Sequence, residues 1–79
     1  MGRNLVLVSI ETEDGDRCVD LFMRSDGSAG FEEYRRDSED GRGWFAIGHY
    51  AGKIYPTPEA TREAALAAVP WLAEVIRDA

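Results

Sequence analysis

Two Asp-Gly pairs, Asp14-Gly15 and Asp26-Gly27, constrain this chain more than any other feature. Each lies between runs of β-forming residues, and a tight hairpin turn needs the positive φ that Asp-Gly tolerates. Read as a two-residue loop, Asp14-Gly15 sets Glu13 against Asp16, Ile10 against Val19, Val8 against Leu21 and Val6 against Met23. The apolar members of those pairs share one face. The other face receives Glu11 with Cys18, Ser9 with Asp20 and Leu7 with Phe22. One turn assignment thus sorts a mainly apolar face from a mainly polar one, as a half-buried hairpin requires.

The second Asp-Gly leads into a third strand over 29–36. A two-residue loop there sets Phe22 against Phe31 and Val19 against Tyr34, but it also puts Glu32 beside Leu21 on the core face. A carboxylate is costly in such a place. A bulge near Glu32-Glu33, or a longer turn, would relieve it. The polar segment 37–42 (DSEDGR) reads as a loop, and 43–50 (GWFAIGHY) as the fourth strand. Ala51-Gly52 reads as a turn, followed by a short extended piece over 53–55.

A helix closes the chain. Thr57 is a suitable N-cap, Pro58 fits the first helical position, and Glu59 complements the dipole. At 100° per residue Thr61, Ala65, Ala68, Val69, Leu72, Val75 and Ile76 form one stripe, with Glu63, Pro70, Glu74 and Arg77 opposite. Because the phase runs unbroken across Pro70, the pattern predicts one helix kinked near Pro70, the alternative being a break at Val69 with a second short helix. The expectation is therefore an α+β domain spanning residues 1–79, a four-stranded antiparallel meander with one C-terminal helix on one face.

The segments FEEYRRD and GWFAIGHY and the alanine-rich helix ending in VPWL resemble short uncharacterised bacterial proteins with this β-β-β-β-α plan. The resemblance implies no activity, cofactor or site residue.

Nine basic residues face fifteen acidic ones, a formal charge of −6, which opposes binding to nucleic acid or an anionic membrane. Phe31, Tyr34, Arg35, Arg36 and Trp44 do not reproduce the glycine–aromatic order of an RNA-recognition strand. Eight of the nine basic residues are arginine, which reads as a GC-rich coding bias rather than a guanidinium-specific role. The apolar stretch 5–10 is too short for a signal-peptide core, so a cytoplasmic, thiol-reducing location is expected. With a single cysteine, Cys18, and a single histidine, His49, there is no disulfide, no zinc cluster and no ready nucleophilic dyad. The acidic runs lack a calcium-loop pattern. No catalytic residue, metal or cofactor is assigned.

One helix shields one side of a sheet, so apolar groups on the other side need another cover. Leu7, Phe22, Phe31, Trp44 and Tyr50 are the candidates for that exposed surface. The chain accordingly reads as a non-enzymatic interaction module, binding a protein partner or itself through the helix-free sheet face. Two other readings stand beside it. One is a small-ligand or catalytic site in the sheet–helix groove, using His49, Tyr50 or Tyr55. The other is a partner bound by the acidic loop 37–40.

Overall fold

The computed structural model describes residues 4–37, 41 and 43–78. Strands β1 (Leu5–Glu11), β2 (Arg17–Met23), β3 (Ala29–Arg36) and β4 (Trp44–Ala46) form one antiparallel sheet in the order β1-β2-β3-β4. Helices α1 (Pro58–Ala68) and α2 (Leu72–Asp78) pack against it, giving the expected α+β architecture.

The first hairpin has the expected pairing from Glu11↔Cys18 to Val8↔Leu21. Its turn is wider than two residues. Thr12 N–H donates to the Arg17 carbonyl at 3.0 Å, and Gly15, at φ 77°, donates to the Thr12 carbonyl at 2.9 Å. The Thr12 hydroxyl supports the bend, accepting from Arg17 N–H and donating to Asp14 Oδ1 at 2.7 Å. Further down β1 the register slips. Val6 pairs with Phe22 and Leu5 with Met23, leaving Leu7 as the extra residue of a β-bulge.

The second hairpin corrects the two-residue register. Arg24 N–H bonds the Ser28 carbonyl at 2.7 Å, and Gly27, at φ 89°, bonds the Arg24 carbonyl at 3.0 Å, so the loop holds three residues. Gly27 takes the left-handed position that such loops need. The longer loop shifts β3 by one residue. Leu21 now faces Phe31, Val19 faces Glu33, and Asp20 faces Glu32. Phe31 therefore enters the helix-side core, and the clash of Glu32 with Leu21 disappears.

The expected fourth strand over 43–50 is shorter than its composition suggests. Only Trp44–Ala46 pairs, with one further bond from Ile47 N–H to the Glu33 carbonyl at 2.9 Å. Beyond it the chain turns away, and Glu32 fills the gap. Its carboxylate accepts from Glu33 N–H at 2.8 Å and from Ala51 N–H at 3.1 Å, donors that the interrupted ladder would otherwise strand. Tyr55 then rejoins the edge of β3 through two bonds with Ala29.

The single kinked helix is also corrected: there are two helices. Proline supplies no N–H and pushes its predecessor out of the helical region. Val69 accordingly caps α1 in an extended conformation (φ −110°, ψ 104°), and α2 starts at Leu72. The buried stripe survives the break, because Thr61, Ala65, Val69 and Leu72 are all fully buried. At the other end of α1 the Thr57 hydroxyl accepts from Ala60 N–H at 3.1 Å, as its N-cap position predicts. Val19, Leu21 and Phe31 from the sheet meet Ala65, Val69 and Leu72 from the helices to form the core. Helix α1 lies over β2 and β3, while α2 packs against β1.

Candidate interaction surface

The two ends of the helix-free face are closed in different ways. At one end Phe22, expected to be exposed, is only 5% accessible. It lies across the strand from Gly30, where an added Cβ would sit 2.9 Å from its ring. The Arg24 guanidinium covers it at 5.0 Å from the ring centroid. That guanidinium is held in turn by the carbonyls of Ala29 (2.8 Å), Ala51 (2.7 Å) and Lys53 (2.9 Å). One arginine, pinned by the chain's own 51–53 segment, thus roofs the ring.

At the other end the face is polar. Ser9 Oγ donates to Asp20 Oδ1 at 2.6 Å, and the Cys18 thiol donates to the same oxygen at 3.3 Å. With Glu11, Tyr34 and Trp44 these residues line a shallow basin of about 210 Å³. Burial, followed by the nearby Asp20 and Glu11 carboxylates, pushes the Cys18 thiol up to about 12. Burial and the same acidic setting raise the Tyr34 hydroxyl. Burial and the acidic neighbours thus keep the Cys18 thiol and the Tyr34 hydroxyl protonated and unreactive near neutral pH.

A chemical test follows from that thiol. Its thiolate population near neutral pH should be roughly a thousandfold below that of an ordinary cysteine. Alkylation of native protein by iodoacetamide at pH 8 is expected to be slow and to accelerate on denaturation; equal rates would show the thiol to be unprotected. The sign of the linkage is fixed as well. A folded-state value above the unfolded one contributes stability below pH 9 that is lost as pH rises from 9 towards about 12.

The remaining candidates scatter. Phe31 is buried under the helices, stacked on Tyr50 with centroids 4.7 Å apart and tilted against Tyr55 at 6.0 Å. Tyr50 is half-buried beside them and points its hydroxyl at the Ala68 carbonyl, 3.5 Å away. Both residues belong to the helix-side core and not to the opposite face. Gly48 makes room for this arrangement, since a Cβ there would overlap the Tyr50 ring. Trp44 is exposed, with the Arg36 guanidinium 4.7 Å above its ring. Leu7 is exposed in the β1 bulge. His49 is exposed at a left-handed backbone position (φ 56°), so Tyr50 and Tyr55 turn inward while the imidazole stays at the surface. The acidic loop 37–40 lies outside the described residues apart from Asp37.

The surface that strand-parity reasoning missed is the outer edge of the sheet. Among the described residues β1 pairs only with β2, and its first half carries four consecutive exposed apolar residues. Leu5 is 63% accessible, Val6 49%, Leu7 43% and Val8 46%. The register slips at Leu7, and all four side chains of this half stay exposed. On the helix side it borders a groove of about 200 Å³ lined by Leu7, Val8, Leu21, Pro58, Glu59 and Arg62. The signal lay in the apolar run 5–8 itself: a strand apolar at every position cannot hide both parities behind one helix layer.

Among the described residues no group of three or more His, Cys, Asp or Glu could hold a metal ion, and no helix is long and apolar enough to cross a membrane. No protein-family model, no curated protein and no solved structure matches the chain. The functional reading therefore rests on the chain's own surface.

Proposed function

We propose that this protein is a non-enzymatic interaction module that docks an extended segment against the open edge of β1. The observation that carries the reading is the run Leu5–Val8, exposed on an edge strand whose outer side has no neighbour among the described residues. Long, apolar, unprotected edges are rare in monomers because they invite pairing. An added strand gains main-chain hydrogen bonds along the edge, and its side chains find apolar cover in the groove beside α1. This places the contact at the sheet edge, where the apolar surface is, and not on the helix-free face, which is roofed at one end and polar at the other. The unpaired thiol suits a reducing, cytoplasmic setting.

The geometry names its reporters. Thr12 N–H points at β2, so by the alternation of an antiparallel ladder the N–H groups of Ser9 and Glu11 point outward. A synthetic peptide copying residues 2–12, titrated into dilute isotope-labelled protein, should slow exchange of those two amides and shift their resonances. Unchanged Ser9 and Glu11 signals at saturating peptide would overturn the reading.

A further inference from the structure

Three features of β1 narrow the occupant of this edge, and the inference they carry rests on the edge-docking reading above. The first is that β1 is apolar on both parities over residues 5–8, so a strand laid beside it meets apolar surface on both sides of the sheet. A segment with one polar parity would leave half of that surface uncovered. Among the described residues two edge strands are exposed and apolar, β1 and β4, and only β1 is long enough to match. β2 and β3 are interior, and β4 has only three residues.

The second feature concerns charge. A chain of net charge −6 resists its own kind unless the acidic groups are kept apart. In β1 they are gathered at one end, with Glu11 closing the strand and Glu13, Asp14 and Asp16 in the turn. Antiparallel pairing centred near Leu7 would send the two turns to opposite ends of the joint sheet. Glu11 lies four residues from Leu7, or about 13 Å at strand rise, so the acidic ends would sit about 26 Å apart or more. That is several Debye lengths, each about 8 Å at physiological salt. Parallel pairing would put the two turns side by side.

The third feature is the groove rim, which carries one acid and one base, Glu59 and Arg62. A two-fold axis perpendicular to the sheet keeps both helix layers on the same side and brings the two grooves together. Such an interface is self-complementary, so a contact of one copy's Glu59 with the other copy's Arg62 would be made twice.

We infer that the partner of the β1 edge is a second copy of this chain, paired antiparallel through β1 about a two-fold axis to give a continuous eight-stranded sheet. Sedimentation equilibrium at about 100 μM should give twice the chain mass, corresponding to a dissociation constant in the micromolar range or tighter. Val6→Lys places a charge on the exposed edge and should weaken the dimer at least tenfold, with an unchanged far-UV circular dichroism spectrum. Leu5→Lys, at the more exposed end of the strand, gives the same readout if the first variant folds poorly. Ile54→Lys removes the most exposed large apolar side chain, 69% accessible and away from this edge, and should leave the dimer intact.

A wild type that stays monomeric overturns self-pairing, as does a folded edge variant that still dimerises. Failure of the two proposals can be told apart. A monomeric protein whose Ser9 and Glu11 amides respond to the strand peptide keeps the docking edge and loses only the second copy. A monomer deaf to the peptide loses both.

Discussion

Phe31→Ala is expected to remove a large share of the protein's folding stability and to lower its urea midpoint sharply. The ring is 1% accessible and packed against Tyr50, Tyr55 and the helix-borne Ala65, Val69 and Leu72. Emptying such a site costs about 3–5 kcal/mol, from lost transfer energy and the cavity left behind. A domain of this size has about 4–12 kcal/mol in total. Urea unfolding followed by tryptophan fluorescence measures the change, with the midpoint falling and the slope held. The same experiment discriminates between strand registers. With a two-residue second loop Phe31 would lie on the helix-free face, and its truncation would trim exposed surface with little change in midpoint. A small effect would therefore restore the register that the structure rejects.

The second loop shows why the sequence could not settle the register alone. Asp-Gly suits a two-residue turn, and it equally suits a three-residue loop with glycine in the left-handed position, as Gly27 adopts. The deciding hint was the awkward placement of Glu32, which pointed to a longer turn or a bulge without choosing between them. In the first hairpin, pairing from Val8 to Glu11 was legible because apolar and polar residues alternate there. From Leu5 to Val8 every residue is apolar, so alternation carries no information about parity, and the bulge at Leu7 was invisible for the same reason that the edge is exposed.

The helices divide likewise. The Thr57 cap and the buried stripe follow from local chemistry, whereas the choice between kink and break at Pro70 turned on how the chain packs after Val69. Trp71 gained its meaning only in three dimensions. Its indole N–H donates to Glu33 Oε2 at 2.9 Å, and Arg17 stands 3.6 Å from the same oxygen. Those two partners make a buried carboxylate acceptable on the core face. Of the predicted surface residues, Leu7 and Trp44 are exposed while Phe22, Phe31 and Tyr50 are drawn inward, because each depended on the register or roofing of a segment far away in sequence.

Arg24 is where composition misled most, and it carries the second large effect. An excess of arginine over lysine reads as coding bias, and for an exposed residue such as Arg77 that reading predicts a neutral exchange. Arg24 is different in kind. One planar group bonds three backbone carbonyls and the Ser28 hydroxyl while sitting over the Phe22 ring. It ties the 51–53 segment, more than twenty residues away, to the end of the second hairpin. Hydrogen bonds from a charged donor contribute about 1.5–3 kcal/mol each where well formed, less where solvent competes as it does here. Arg24→Ala should therefore cost about 2–3 kcal/mol and expose Phe22.

The informative variant is Arg24→Lys, which keeps the charge but replaces a rigid fork with a compact ammonium that cannot reach all four acceptors and stack at once. It is expected to recover less than half of the alanine loss, whereas Arg77→Lys should stay within about 0.5 kcal/mol of wild type. Equal behaviour of the two lysine variants in thermal or urea unfolding would mean that charge alone suffices at position 24. Phe22 would then be protected by something other than the planar guanidinium, and the cover over that end of the helix-free face would not depend on arginine.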